Sequence, residues 1–164
     1  MRAFLFFILY TAYCCAYAEE WENTEKYHFK LVEVTNFSVD AALSHREKIP
    51  IVLLVSQAYC PFCIQIKNEI LGPMILSGDY ENRILIREIF IDRGSKVRDF
   101  NGQESDSNMF INRYNVDLTP TLLFLNPKGE EITERIVGIQ TPELFYFYVD
   151  SAVQEAIKAY PGKN

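Results

Sequence analysis

Ile51-Val52-Leu53-Leu54-Val55-Ser56-Gln57-Ala58-Tyr59-Cys60-Pro61-Phe62-Cys63 is the stretch around which the rest of the chain is organised. Its first half is a nearly continuous apolar run, the mark of a strand covered on both faces in a central parallel sheet. Its second half sets two thiols three residues apart, where that strand gives way to a segment of helical period. A sulfur at the start of a helix meets unpartnered backbone N–H groups and the positive end of the macrodipole, and both favour a thiolate. Cys60 is therefore the expected nucleophile. Cys63 falls about one helical turn further in, near enough to close a disulfide but less open to solvent, and is the expected resolving thiol. Pro61 suits the first helical position, where no N–H is needed.

The same spacing also fits half of a zinc site or a small structural disulfide. Zinc needs two further N or S ligands, and past residue 18 only His28 and His45 are on offer, each isolated. His45, in Ser44-His45-Arg46-Glu47, falls on the polar face of its helix and reads as solvated surface rather than as a base. Closing so short a loop restricts the unfolded chain little, which weakens the case for a staple. No metal or organic cofactor is expected.

The chain has 164 residues, 49% of them hydrophobic and 14% aromatic, enough for one compact domain with a real core. A net charge of −6 and the lack of any basic cluster leave a nucleic-acid partner without electrostatic support. Arg2, an apolar run over residues 3–13 and Ala16-Tyr17-Ala18 before Glu19-Glu20 read as a secretory signal peptide over residues 1–18. A single domain over 19–164 follows. The alternative is an uncleaved anchor, but about sixteen apolar residues fall short of the roughly twenty that span a bilayer. Lipid attachment at Cys14 or Cys15 is disfavoured by the bulky Tyr13 before them. Cleavage after Ala18 removes two of the four cysteines and leaves Cys60 and Cys63 as the only thiols of an exported domain, a pattern that favours redox chemistry over stapling.

Along the chain, residues 27–35 predict a strand, with Phe29, Leu31, Val32 and Val34. Ser38 is the expected cap of a helix ending near Lys48. The CxxC helix carries a stripe of Phe62, Cys63, Ile66 and Ile70, leaves Lys67 outside, and is expected to break at Gly72-Pro73. Residues 83–92 predict a second buried strand. The polar stretch 92–105 predicts a surface insertion, a hairpin turning at Asn101-Gly102. Ser105 or Asp106 is expected to cap a helix bearing Met109, Phe110 and Tyr114. A strand over 122–125, a turn at Asn126-Pro127-Lys128-Gly129 and a returning strand over 130–139 predict an antiparallel hairpin. Thr141 is the expected cap of a last helix, with Phe145-Tyr146-Phe147-Tyr148 read as core and boundary packing.

This order of elements, with Thr119-Pro120 opening the fourth strand, resembles the thioredoxin fold: α/β, a central mixed sheet of about five strands flanked by helices on both faces. The resemblance covers residues 27–160. It is carried by the CxxC after a buried strand, a Thr-Pro about sixty residues later, the Pro-Lys-Gly turn and the final amphipathic helix. Residues 97–104, before the third helix, are similar to the insertion of periplasmic thioredoxin-related proteins of the SoxW type.

The resemblance implies a cis peptide at Pro120 beside the disulfide. It also implies that Thr119 presents its backbone to an extended substrate strand, with Pro61 and Phe62 completing the binding surface. Taken by itself, the dipeptide marks only a strand's start, where a turn suffices to explain it. In two places the pattern departs from the family's: Leu54 stands where thioredoxins carry a buried acid beneath the disulfide, and Tyr59 where they carry Trp. The implied activity is thiol-disulfide exchange, with disulfide-containing proteins as substrates and electrons from a membrane-bound donor. Reductase and oxidase potentials differ by about 150 mV, or about 7 kcal/mol in dithiol stability. Thr before Pro120, the compact domain and the Pro-Lys-Gly turn resemble the reducing side. A thiol oxidase or isomerase of the same fold, and a non-catalytic binding module or chaperone, are the alternatives. A monomer in a Gram-negative periplasm, or anchored to the membrane and facing it, is the implied setting.

Overall fold

The computed structural model describes residues 30–160. The expected signal segment and the start of the expected first strand lie outside the described residues.

Strand β1 (Ile51–Ser56) is buried along its whole length because the sheet is covered on both sides. It pairs in parallel with β2 (Leu85–Phe90), Ile51 facing Leu85 and Ser56 facing Phe90, and antiparallel with β5 (Thr121–Leu125). β5 in turn pairs antiparallel with the two-residue strand β6 (Ile136–Val137), which gives the order β2-β1-β5-β6. The expected architecture is present with four strands rather than about five. At the free side of β2 the expected first strand is reduced to one parallel bridge between Glu33 and Glu88. Val34 donates to Glu88 O at 2.8 Å and Glu88 to Val32 O at 3.0 Å. Pairing stops there because Asn36 turns the chain into helix α1 (Phe37–Glu47). Its Oδ1 accepts from Ser38 N at 3.1 Å, so Asn36, not Ser38, is the cap. The strand expected over 130–139 is likewise cut to β6 and a bridge between Leu125 and Glu131.

Alternation along the strands sorts their side chains into two cores. On one face Ile51, Leu53 and Val55 pack with Phe37, Phe110, Ile111 and Val97. Phe37 is fully buried, its ring stacked 4.4 Å from Phe110 and 4.9 Å from Phe100. The insertion is the expected hairpin, β3 (Lys96–Arg98) against β4 (Glu104–Asp106), leading into α4 (Ser107–Asn112). Asp99 ties its turn: Oδ1 accepts from the backbone of Asn101 and Gln103 at 2.9 Å each, and Oδ2 from Arg113 at 2.7 Å. The bond from Arg113 and those two N–H groups hold this buried carboxyl below the usual range against the opposing effect of burial. Asp106 precedes α4 but makes no side-chain cap; its carboxylate pairs with Lys96 at 2.7 Å.

On the other face Val52, Leu54, Leu122 and Phe124 pack with the CxxC helix and the last helix. The CxxC helix does not break at Gly72-Pro73. It runs as α2 (Pro61–Ile66), widens to a π turn (Lys67–Leu71) and continues as α3 (Gly72–Ser77), with Gly72 N donating to Lys67 O. In α register the Pro73 ring would press on the carbonyl four residues back, and the wider turn relieves that. Thr141 has φ 46 and makes no side-chain cap; a short 3-10 turn (Pro142–Leu144) leads instead into α5 (Phe145–Ala159). Of the four consecutive aromatics only Phe145 is buried, with Val149, Val153 and Ala156 behind it, while Tyr146, Phe147 and Tyr148 are exposed. One residue of such a run can point at the sheet, since successive helical positions are about a third of a turn apart.

Candidate functional site

The site lies where β1 ends and α2 begins. Cys60 is the N-cap of α2, in extended conformation, and Pro61 occupies its first turn. The Cys63 N–H donates to Cys60 Sγ at 3.1 Å, so the helix start aims a free donor at that sulfur. Cys60 and Cys63 form a disulfide. Cys60 keeps 7% of its surface exposed and Cys63 1%, which makes Cys60 the sulfur a partner reaches first.

Two residues that the sequence did not single out shape the loop before Cys60. Asp92, just past β2, accepts from Ala58 N with both oxygens, at 3.1 and 3.0 Å. Gln57 Oε1 accepts from the Thr119 hydroxyl at 2.8 Å. Thr119 Oγ1 also lies 3.8 Å from Cys60 Sγ, and the Thr119–Pro120 peptide is cis. The start of β5 is thereby brought against the disulfide across 59 residues of chain. The only sequence signal for Gln57 and Asp92 was a polar residue at the end of a buried strand.

Phe62 was expected in the buried stripe of its helix and is not there: it is 60% exposed. As the second residue of α2 it faces outward beside Pro61, with Tyr59 at 97% and Leu118 at 64% exposed on the same loops. These side chains give the rim of the disulfide an apolar, aromatic character. Lys67 was expected outside and lies mostly under the helix, its Nζ 2.9 Å from Glu88 Oε1. Glu88 is the register partner of Leu54 and is buried with it. His45 is exposed on α1, and His28 is outside the described residues. Among the described residues, no group of three or more His, Cys, Asp or Glu is placed to hold a metal ion.

A mixed sheet between two helical layers, with a disulfide at the start of the helix after its central strand and the threonine of a cis Thr-Pro peptide beside it, defines a thioredoxin-fold dithiol protein. Residues 37–152 match the family model of the thioredoxin-like domain, and the chain belongs to that family. No curated protein sequence matches it. Among solved structures it is similar to the DsbH oxidoreductase, with TM-score 0.55 and 17% identity over 83% of this chain and 94% of that one. It is also similar to the oxidized form of mitochondrial thioredoxin 3 from Saccharomyces cerevisiae, with TM-score 0.52 and 14% identity over 76% and 94%. Fasciola hepatica thioredoxin gives 0.51 and 12% over 77% and 99%. At such identities the likeness is one of fold. It confirms the α/β thioredoxin architecture expected from the order of elements.

Proposed function

We propose that the chain is an exported thiol-disulfide oxidoreductase that reduces disulfides in periplasmic proteins, in the manner of the periplasmic thioredoxin-related proteins. The observation that carries this reading is the Cys63 N–H held 3.1 Å from Cys60 Sγ at the helix start, with the Thr119 hydroxyl, next to the cis peptide to Pro120, 3.8 Å from the same sulfur. In the reduced chain that donor stabilises a Cys60 thiolate. The thiolate attacks one sulfur of a substrate cystine, whose S–S bond breaks to release one thiolate and leave the other sulfur bonded to Cys60. Cys63 then attacks Cys60, expelling the second substrate thiol and closing the disulfide. The substrate gains two electrons and the chain loses two, to be restored by a dithiol donor at the membrane. Substrate segments lie extended along Thr119 and Pro120, over Pro61 and Phe62, and a monomer suffices for every step.

A second reading, a binding module for extended chains, draws on the exposed rim of Tyr59, Phe62 and Leu118. One experiment separates the two. The reduced Cys63→Ala variant, mixed with oxidised insulin, is expected to form a one-to-one adduct through Cys60 that dithiothreitol releases. Peptide binding without such an adduct would favour the binding module.

A further inference from the structure

The Thr119 hydroxyl has one hydrogen to give and two acceptors within reach. Gln57 Oε1 takes it at 2.8 Å, while Cys60 Sγ lies 3.8 Å from the same oxygen. With the disulfide closed the contest is one-sided, because uncharged sulfur is a weak acceptor. In the reduced chain it is not. A Cys60 thiolate is charged, and a hydrogen bond to an ionised acceptor is about twice as strong as one between neutral groups. The Cys63 N–H already serves that sulfur at 3.1 Å, and the Thr119 hydroxyl is the next donor at hand. The acceptor that holds this hydrogen therefore helps to set how stable the dithiol is relative to the disulfide. Gln57 is the first residue past β1, on a loop whose Ala58 N–H is fixed by both oxygens of Asp92 at 3.1 and 3.0 Å. Its amide thus reaches Thr119 from an anchored base. Packing does not require the bond: Gln57 is exposed, and water would serve an exposed amide as well.

We propose that Gln57 is a positioning residue that withholds the Thr119 hydroxyl from Cys60 and so keeps the dithiol a readier electron donor. This rests on the dithiol exchange proposed above. The equilibrium it biases is read against glutathione: the chain's disulfide and two glutathione thiols give the Cys60 and Cys63 thiols and one glutathione disulfide, with two electrons passing to the chain. With Gln57 in place the hydroxyl hydrogen stays on the amide oxygen, and the thiolate keeps its one backbone donor. Without Gln57 the hydrogen turns to the sulfur, the thiolate is better held, and the dithiol gives up its electrons less readily. The charged groups on the surrounding elements are the same in every variant below. Asp92, past β2, is bonded to Ala58 N–H, Lys67 in the π turn pairs with Glu88, and Arg93 pairs with Glu33. Asp117, two residues before Thr119, is exposed.

The test is a double-variant cycle with two readouts on the full chain. The pH profile of Cys60 alkylation, resolved by peptide mapping, gives its thiolate-to-thiol ratio, and a glutathione titration gives the position of the redox equilibrium. Gln57→Leu is expected to raise the thiolate-to-thiol ratio at a given pH by about three- to tenfold, the worth of one hydrogen bond. The ratio of glutathione disulfide to the square of glutathione at half-oxidation should rise by up to the same factor, about tenfold corresponding to about 30 mV. Gln57→Ala should shift both in the same direction. Thr119→Val alone removes a hydroxyl already turned from the sulfur and should move each readout by less than about twofold, and Gln57→Leu/Thr119→Val should return both to within about twofold of the wild type. No shift in Gln57→Leu and Gln57→Ala, or a shift that survives in the double variant, overturns the assignment. So does a fall in the thiolate ratio, which would mean that the amide gives its N–H to Thr119 and leaves the hydroxyl hydrogen to the sulfur. A wild-type chain that does not equilibrate with glutathione overturns the dithiol reading itself and this proposal with it.

Discussion

Replacing Cys60 by Ser is expected to lower the rate of insulin disulfide reduction by about a thousandfold or more, to the level of the dithiol reagent alone. Removing a covalent nucleophile has effects of this order, since no other group does its work. Cys63 cannot take over: it is the less exposed sulfur, and no described donor is aimed at it as its own N–H is aimed at Cys60. Loss of the disulfide from so short a loop costs about 2 kcal/mol or less, so the variant should remain folded and the lost activity is chemical. Retention of more than a tenth of the wild-type rate would place the nucleophile elsewhere.

The largest expected stability effect lies far from the sulfurs, at Phe37. Its ring is fully buried where α1 meets the inserted hairpin and α4, stacked against both Phe110 and Phe100, which also touch each other. Phe37→Ala should cost about 4 kcal/mol, the transfer term plus the cavity left among rings that cannot collapse inward. In a domain of this size that lowers the melting temperature by about 12–20 °C. Phe147→Ala, on the exposed side of α5, should change stability by about 0.5 kcal/mol or less. A calorimetric loss below about 1 kcal/mol at Phe37 would mean that the insertion does not share the core.

What the sequence made legible was what local chemistry decides. Ile51 to Val55 could only be a doubly covered strand, and the thiols that follow it fall at a helix start by spacing alone. Asn101-Gly102 announced the hairpin, with Gly102 at φ 82 in its turn. The features that were missed depend on contacts distant in sequence. Asp92 meets Ala58 across 34 residues, and Gln57 meets Thr119 across 62. Neither pairing has a local signature. Phe62 was misplaced because helical period does not fix a side chain in the first turn, where no preceding turn exists to pack against. Pro73 was read as a break because the π turn that absorbs it is a property of the whole helix. Glu88 is an acid inside an apolar strand, and its partner Lys67 lies on another element, so the pair has no local signature either.

The most direct test of the central claim is the rate at which each thiol of the reduced chain is carboxymethylated at neutral pH, resolved by peptide mass mapping. Cys60 should react about tenfold or more faster than free cysteine and well ahead of Cys63, because the helix start holds its sulfur as a thiolate. A Cys60 no faster than free cysteine, or a Cys63 modified first, would contradict the account.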